Sequence, residues 1–224
     1  MPESTVSLRR RLDTGIDGLF GPEPPTAWRL EPSAREVMIA YLELLRRWNR
    51  SFNLTAVRDP LEMVPRHLLD SLAVLPYLTA GPVLDAGTGA GLPGIPLAIA
   101  RPDLAFTLLD ANGKKTRFVR QAVLTLGLPN VDVVQDRLET YRPAQKFATI
   151  VTRALAATAE LVRVTRHLCA DGGNLLAMKG RTADEETAAL DHAAVDAVVH
   201  RLSVPFLDGK RTLIEIRCEP SQHG

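Results

Sequence analysis

Four glycines fall within eight residues, at Gly87, Gly89, Gly91 and Gly94, inside the stretch Val83–Ile99, VLDAGTGAGLPGIPLAI. Glycine is the costliest residue to order, so this density is spent only where backbone takes up positive φ or where a ligand lies against the main chain. An apolar run ends in Asp85 before the glycines and another resumes after them, which reads as strand, loop, helix. Two glycine grammars overlap here. Gly89, Gly91 and Gly94 match G-x-G-x-x-G, a dinucleotide fingerprint that is weak by itself. Asp85-x-Gly87-x-Gly89-x-Gly91 adds a carboxylate at the end of the strand, where a pyrophosphate would be repelled. A ligand with a cationic amino group and no phosphate, as in S-adenosylmethionine, suits that carboxylate better. A turn-forming role for Asp85 explains none of the glycines.

Downstream, strand and helix patterns alternate. Strands are expected over 105–109, 131–134, 147–152 and 174–178, the last after a turn at Asp171-Gly172-Gly173. Helices are expected over 114–126 and 159–168, with an acidic helix over 183–192. Two final strands, 195–204 and 212–217, flank a turn at Asp208-Gly209. The alternation predicts an α/β fold with a mostly parallel seven-stranded sheet, closed by a C-terminal β-hairpin. Such sheets bind ligands at the carboxyl ends of their strands. Asp85 and the glycines, Asp110, the segment 135–139, Arg153 and Lys179 are therefore expected around one crevice.

Ahead of the sheet, residues 1–31 carry Pro22, Pro24 and Pro25 and read as an arm with a loop after a short helical start near Val6–Leu12. Val37, Tyr41, Leu44, Leu45 and Trp48 repeat at helical spacing over 33–50, with Ser33 and Glu36 spaced as a capping box. A second helix is expected over 60–77, interrupted at Pro65 and Pro76. Residues 1–78 thus form an N-terminal arm and helical extension packed on a main domain at 79–224.

The totals exclude little. A net charge of +1 neither requires nor forbids a nucleic-acid partner. The first residues lack the apolar core of a signal peptide, and no segment offers about 18 uninterrupted apolar residues, which disfavours secretion and membrane spanning and points to the cytoplasm. Cys169 and Cys218 lie far apart without His or Cys at metal spacing, and are expected as reduced thiols with no zinc site.

Asp110 lies 19 positions beyond Gly91, where a carboxylate accepts hydrogen bonds from ribose hydroxyls; this fits an adenosine ligand without separating NAD from S-adenosylmethionine. Lys114, Lys115, Arg117 and Arg120 crowd the first turns of the next helix. Cations there oppose the helix dipole, which suggests an anionic partner such as RNA phosphate, against the plainer account of a solvated face. Arg153 follows the fourth strand, where enzymes that methylate exocyclic amines of adenine present Asn or Asp with Pro-Pro and an aromatic. A nitrogen with an available lone pair, such as guanine N7, needs no such clamp and no general base. His67 and Asp70, at i and i+3, are spaced to hydrogen-bond on a helix, and a helical histidine is more often structural than catalytic.

Taken in order, WNRSFNLTAVRDP, RHLLDS, VLDAGTGAGLPGIPLAI, FTLLD with GKKTRFVRQ, VTRA, LLAMKG and LDGKRTLIEI resemble the bacterial 16S ribosomal RNA guanine-N7 methyltransferase family, also called glucose-inhibited division protein B, across about residues 33–217. The resemblance implies a Rossmann-like class I methyltransferase fold, S-adenosylmethionine as donor, and N7 methylation of one guanine in 16S rRNA, free or in the small ribosomal subunit; a monomer without metal is expected. Carried over, Gly87, Leu92, Leu138, Glu139 and Arg153 resemble donor-binding positions. Asp85, Gly89 and Asp110 join them on the arguments above. Lys179 and Arg211 resemble basic residues on the substrate side, with Arg153 and His67 as further candidates there; no catalytic base is expected. The chain departs from the family pattern in its proline-rich arm and at Ala111-Asn112. Two rival readings remain: an NAD(P)-binding oxidoreductase, and a non-catalytic RNA-binding module with a retained donor pocket.

Overall fold

The structure, a computed structural model, describes residues 3–153, 157–180 and 196–218. The expected acidic helix over 183–192 lies outside the described residues. In chain order the elements are α1 (Glu3–Phe20), a 3-10 turn (Thr26–Trp28), α2 (Pro32–Phe52), α3 (Pro60–Met63), a π-helical turn (Val64–Leu69), α4 (Asp70–Leu72), a 3-10 turn (Leu75–Tyr77), β1 (Val83–Ala86), α5 (Gly94–Ala100), β2 (Phe106–Leu109), α6 (Gly113–Leu126), β3 (Val131–Val134), β4 (Phe147–Arg153), α7 (Thr158–Thr165), β5 (Cys169–Lys179), β6 (Ala197–Leu202) and β7 (Arg211–Arg217).

The seven strands form one sheet in the order β3-β2-β1-β4-β5-β7-β6. The first five run parallel and β7 is antiparallel to both neighbours, so the expected hairpin closes one edge. β1 is flanked by β2 on one side and β4 on the other, which makes the gap beyond their carboxyl ends the switch point where such sheets open a crevice. Leu84, Ala86, Ile150, Leu175 and Ile214 face one layer with α7, while Val83, Leu108, Val151, Leu176 and Leu213 face the other with α1, α2, α5 and α6. The N-terminal helices thus share a core with the sheet.

Four expectations are corrected. The N-terminal arm is mostly helix, because Leu8, Leu12 and Ile16 make a buried stripe on α1 ahead of the prolines. Within this helix Gly15 lets Leu69 approach the backbone where a Cβ would collide with it. The capping box at Ser33 does not form: Glu31 is the N-cap, without a side-chain bond, and Pro32 starts the helix with its pre-set φ. Asp171-Gly172-Gly173 is no turn before β5 but a bulge within it, where partners jump from Phe147↔Cys169 to Thr149↔Asn174 and Gly172 has φ 73°.

The fourth correction concerns the cysteines, which are joined in a disulfide rather than reduced, across a sequence separation of 49. The bulge accounts for the pairing. Gly172 N donates to the Cys218 carbonyl at 2.9 Å and Cys218 N to the Gly173 carbonyl at 2.8 Å, which holds the end of β7 against the start of β5. Among the described residues, no group of His, Cys, Asp and Glu is placed to hold a metal, and no helix is long and apolar enough to cross a membrane.

Candidate active site

The loop between β1 and α5 is held from below by Asp85. Its Oδ2 accepts the Thr88 hydroxyl at 2.6 Å and the Gly94 amide at 2.8 Å, while Oδ1 accepts nothing among the described residues. Gly94 is needed for this approach, since a Cβ there would meet Asp85 Oδ2 and Leu108. Gly87, Gly89 and Gly91 have φ of 72°, 60° and 88°, the left-handed region that favours glycine. From above, the Tyr41 hydroxyl of α2 donates to the Ala90 carbonyl at 2.7 Å. Asp85, expected along the crevice, is fully buried beneath the loop and is not among the residues that line it. Burial pushes its carboxyl up to about 6, against the lowering effect of the Thr88 and Gly94 hydrogen bonds and the Arg153 charge.

Over the switch point lies a crevice of about 550 Å³. Gly87, Gly89 and Leu92 of the loop, Asp110 and Lys115 beyond β2, Asp136 to Glu139 beyond β3, and Arg153 at the end of β4 line it, with Leu54 and Thr55 closing the α2 side. Seven of the eight expected donor-binding residues, all but Asp85, therefore meet there. Asp110 Oδ2 accepts the Gly89 amide at 2.9 Å and stands 3.6 Å from Lys115 Nζ, and its Oδ1 accepts the Asn112 amide at 2.8 Å. A carboxylate has about four acceptor sites, so capacity remains toward the crevice. Asn112 caps α6 by accepting from the Lys114 and Lys115 amides, and Asp110 is not itself the cap.

The substrate-side candidates do not gather as expected. Asp70 does not pair with His67. It lies between two arginines, Oδ2 3.4 Å from Arg153 Nη1 and Oδ1 3.1 Å from Arg211 Nε. Arg153 also donates to the Arg66 carbonyl at 3.1 Å. The π-helical turn over Val64–Leu69 breaks the α-helical phase that would have set His67 beside Asp70. Instead the Nε2 of His67 shares a hydrogen bond of 2.9 Å with the Thr55 hydroxyl. Burial, then the Arg153 charge, lowers the imidazole to about 4, which keeps it neutral behind the crevice wall. Lys179, buried at the end of β5, and Arg211 are not among the described residues that line the crevice.

The basic cluster divides. Lys114, Arg117 and Arg120 line a shallow groove along α6 with Gln121 and Gln135, whereas Lys115 turns into the crevice beside Asp110. Tyr41, Leu54 and Thr55 were not singled out in the sequence as site residues, and Asp70 was read only as a partner for His67. For Tyr41 the signal was present: a phenol on the most buried face of an amphipathic helix requires a hydroxyl partner.

Among known proteins, a family model described as GidB, rRNA small subunit methyltransferase G, matches residues 34–214. The chain is 51% identical over 205 residues to a ribosomal RNA small subunit methyltransferase G of Alkalilimnicola ehrlichii, covering 91% of this chain and 89% of that one. It is 52% identical over 182 residues to the protein of the same name in Chromobacterium violaceum, covering 81% and 87%. Among solved structures, a SAM-dependent methyltransferase from Aquifex aeolicus superposes with a TM-score of 0.59 at 16% identity, covering 74% of this chain and 97% of that one; at that identity the likeness concerns the fold.

Proposed function

Because the chain belongs to the rRNA small subunit methyltransferase G family, we propose that it transfers the methyl group of S-adenosylmethionine to N7 of one guanine in 16S rRNA. The observation that carries this reading is the crevice in which the glycine loop and Asp110 face each other across the carboxyl ends of β1 and β2. Its chemistry fits an adenosine-bearing sulfonium. Asp110 offers acceptor positions for ribose hydroxyls, Leu92 and Leu138 offer apolar wall, and Gly87 and Gly89 present bare backbone. When bound, the donor supplies an electrophilic methyl carbon.

The chain's own residues orient the partners. Guanine N7 carries its lone pair in the neutral base, so no proton has to leave before attack. In-line positioning can contribute several kcal/mol by itself. Arg153, fixed by Asp70 and the Arg66 carbonyl, puts a stationary cation on the crevice wall next to β4. Lys114, Arg117 and Arg120 present charge to the phosphate backbone outside it. In this division residues 79–224 hold the donor, and residues 1–78 pack on them as a helical extension whose Leu54 and Thr55 complete the crevice wall. The same reading has the protein working in the cytoplasm as a monomer without a metal, which sedimentation with and without chelator would check.

Two measurements test the proposal. S-adenosylhomocysteine is expected to raise the melting temperature and NAD to leave it unchanged; the reverse result favours the oxidoreductase. Nucleoside mass spectrometry of 16S rRNA is expected to show N7-methylguanosine lost from cells lacking the gene. An unchanged level would leave only a binding module.

A further inference from the structure

An aromatic file runs from the core to the surface beside the crevice. Phe118 of α6 is fully buried, the Trp48 ring of α2 lies 5.6 Å from it, and the Phe52 ring lies 5.1 Å from Trp48 at an interplanar angle of 30°. Phe52 is the last residue of α2, one turn beyond Trp48 on the same face, and is 40% exposed. A single exposed phenylalanine needs no explanation by itself. Three further features give this one a role.

First, the turn behind it is locked. Asn49, 2% exposed, donates Nδ2 to the Thr55 carbonyl at 3.0 Å and accepts the Thr55 amide at 2.9 Å. Arg58 donates to Asn53 Oδ1 at 2.8 Å and to the Asn49 carbonyl at 3.2 Å, and Thr55 is tied to His67. Second, this turn is crevice wall, since Leu54 and Thr55 line it together with Lys115, whose helix carries Phe118. Third, the neighbouring turns carry unburied cations: Arg47 and Arg50 on the end of α2, Lys114 and Arg117 on the start of α6.

A part-exposed apolar ring two residues before the crevice-lining Leu54, on a helix end that also carries exposed cations, matches an unstacked nucleobase on a phosphate chain. Bringing guanine N7 into a crevice requires splaying the target out of its stack, which leaves an adjacent base without a neighbour. We propose that Phe52 is the stacking platform for a base adjacent to the target guanine. This rests on the methyltransferase reading above.

The test uses the full chain with 16S rRNA from cells lacking the gene, and the variants Phe52→Ala, Phe52→Leu and Phe52→Tyr. Loss of one stacked base corresponds to a drop in RNA affinity of about 5- to 150-fold. That drop is expected for both the Ala and Leu variants, with Tyr retaining wild-type affinity. S-adenosylhomocysteine affinity by calorimetry and the slope of RNA affinity against salt are expected to stay unchanged, because stacking displaces no counterions. Leu binding and methylating RNA as wild type does would overturn the proposal, as would parallel loss of donor affinity in all three variants. A wild-type protein that leaves no N7-methylguanosine in this RNA, either free or assembled in the small subunit, would refute the function itself, a result recognisable without any variant.

Discussion

Asp85→Asn offers the sharpest perturbation, because the residue is fully buried and its charge has few partners. Asparagine keeps an oxygen to accept from Thr88 and Gly94, and its amide replaces an oxygen that accepts nothing among the described residues. In the unfolded chain the carboxyl ionises near 3.8, and in the folded protein near 6. Between those values the folded state binds the extra proton, so stability falls as pH rises through the window and stays lower above it. The gap corresponds to about 3 kcal/mol, at about 1.4 kcal/mol per pH unit. Urea unfolding of both proteins at intervals from pH 3.5 to pH 7.5 isolates this effect, since other groups cancel in the difference. The asparagine variant is expected to gain about 3 kcal/mol relative to wild type across that range. A difference that is flat with pH, or that moves the other way, would refute the account of Asp85 as a carboxylate held beneath the loop at the expense of stability.

Two further perturbations address the charged elements. Asp70→Asn leaves two guanidiniums facing each other; breaking a buried pair costs roughly 3–5 kcal/mol, but both arginine side chains keep about a quarter of their surface in water, so about 2–3 kcal/mol is expected. At about 2–4 °C per kcal/mol for a chain of this size, calorimetry is expected to show a melting point lower by about 4–12 °C, and a drop under about 2 °C contradicts the triad. Lys114→Ala with Arg117→Ala is expected to flatten the slope of log RNA affinity against log salt by about 1.4–1.8 while calorimetric affinity for S-adenosylhomocysteine holds; an unchanged slope would return both residues to a solvated face.

The alternating strands with their closing hairpin, the glycine loop and the place of Asp110 beside it were legible because each has a local cause: apolar periodicity, positive φ and close approach, a carboxylate at a strand end. What escaped depended on distant contacts. Asp70 was read against His67 because α-helical phase was assumed through Pro65, while its partners Arg153 and Arg211 lie 83 and 141 residues away. The Cys169–Cys218 link depends on an antiparallel register and a bulge that neither thiol announces. In α1 the prolines after Phe20 outweighed a stripe of only Leu8, Leu12 and Ile16, and Gly15 could not be seen as a packing position without Leu69 against it.

The wide turn at Val64–Leu69 bears on how this segment tolerates change in length. Met63, Val64, Leu68 and Leu69 are all sealed into the core, and Asp70 meets the two arginines directly after. Deleting one residue from the turn would remove no essential side chain if Arg66 were the one taken, yet it would rotate one end of the rod against the other by about 100°. Either Met63 and Val64 would swing toward water or Asp70 would swing away from both guanidiniums. The surplus residue acts as a phase adjuster, and length polymorphism at this point should be far less tolerated than substitution.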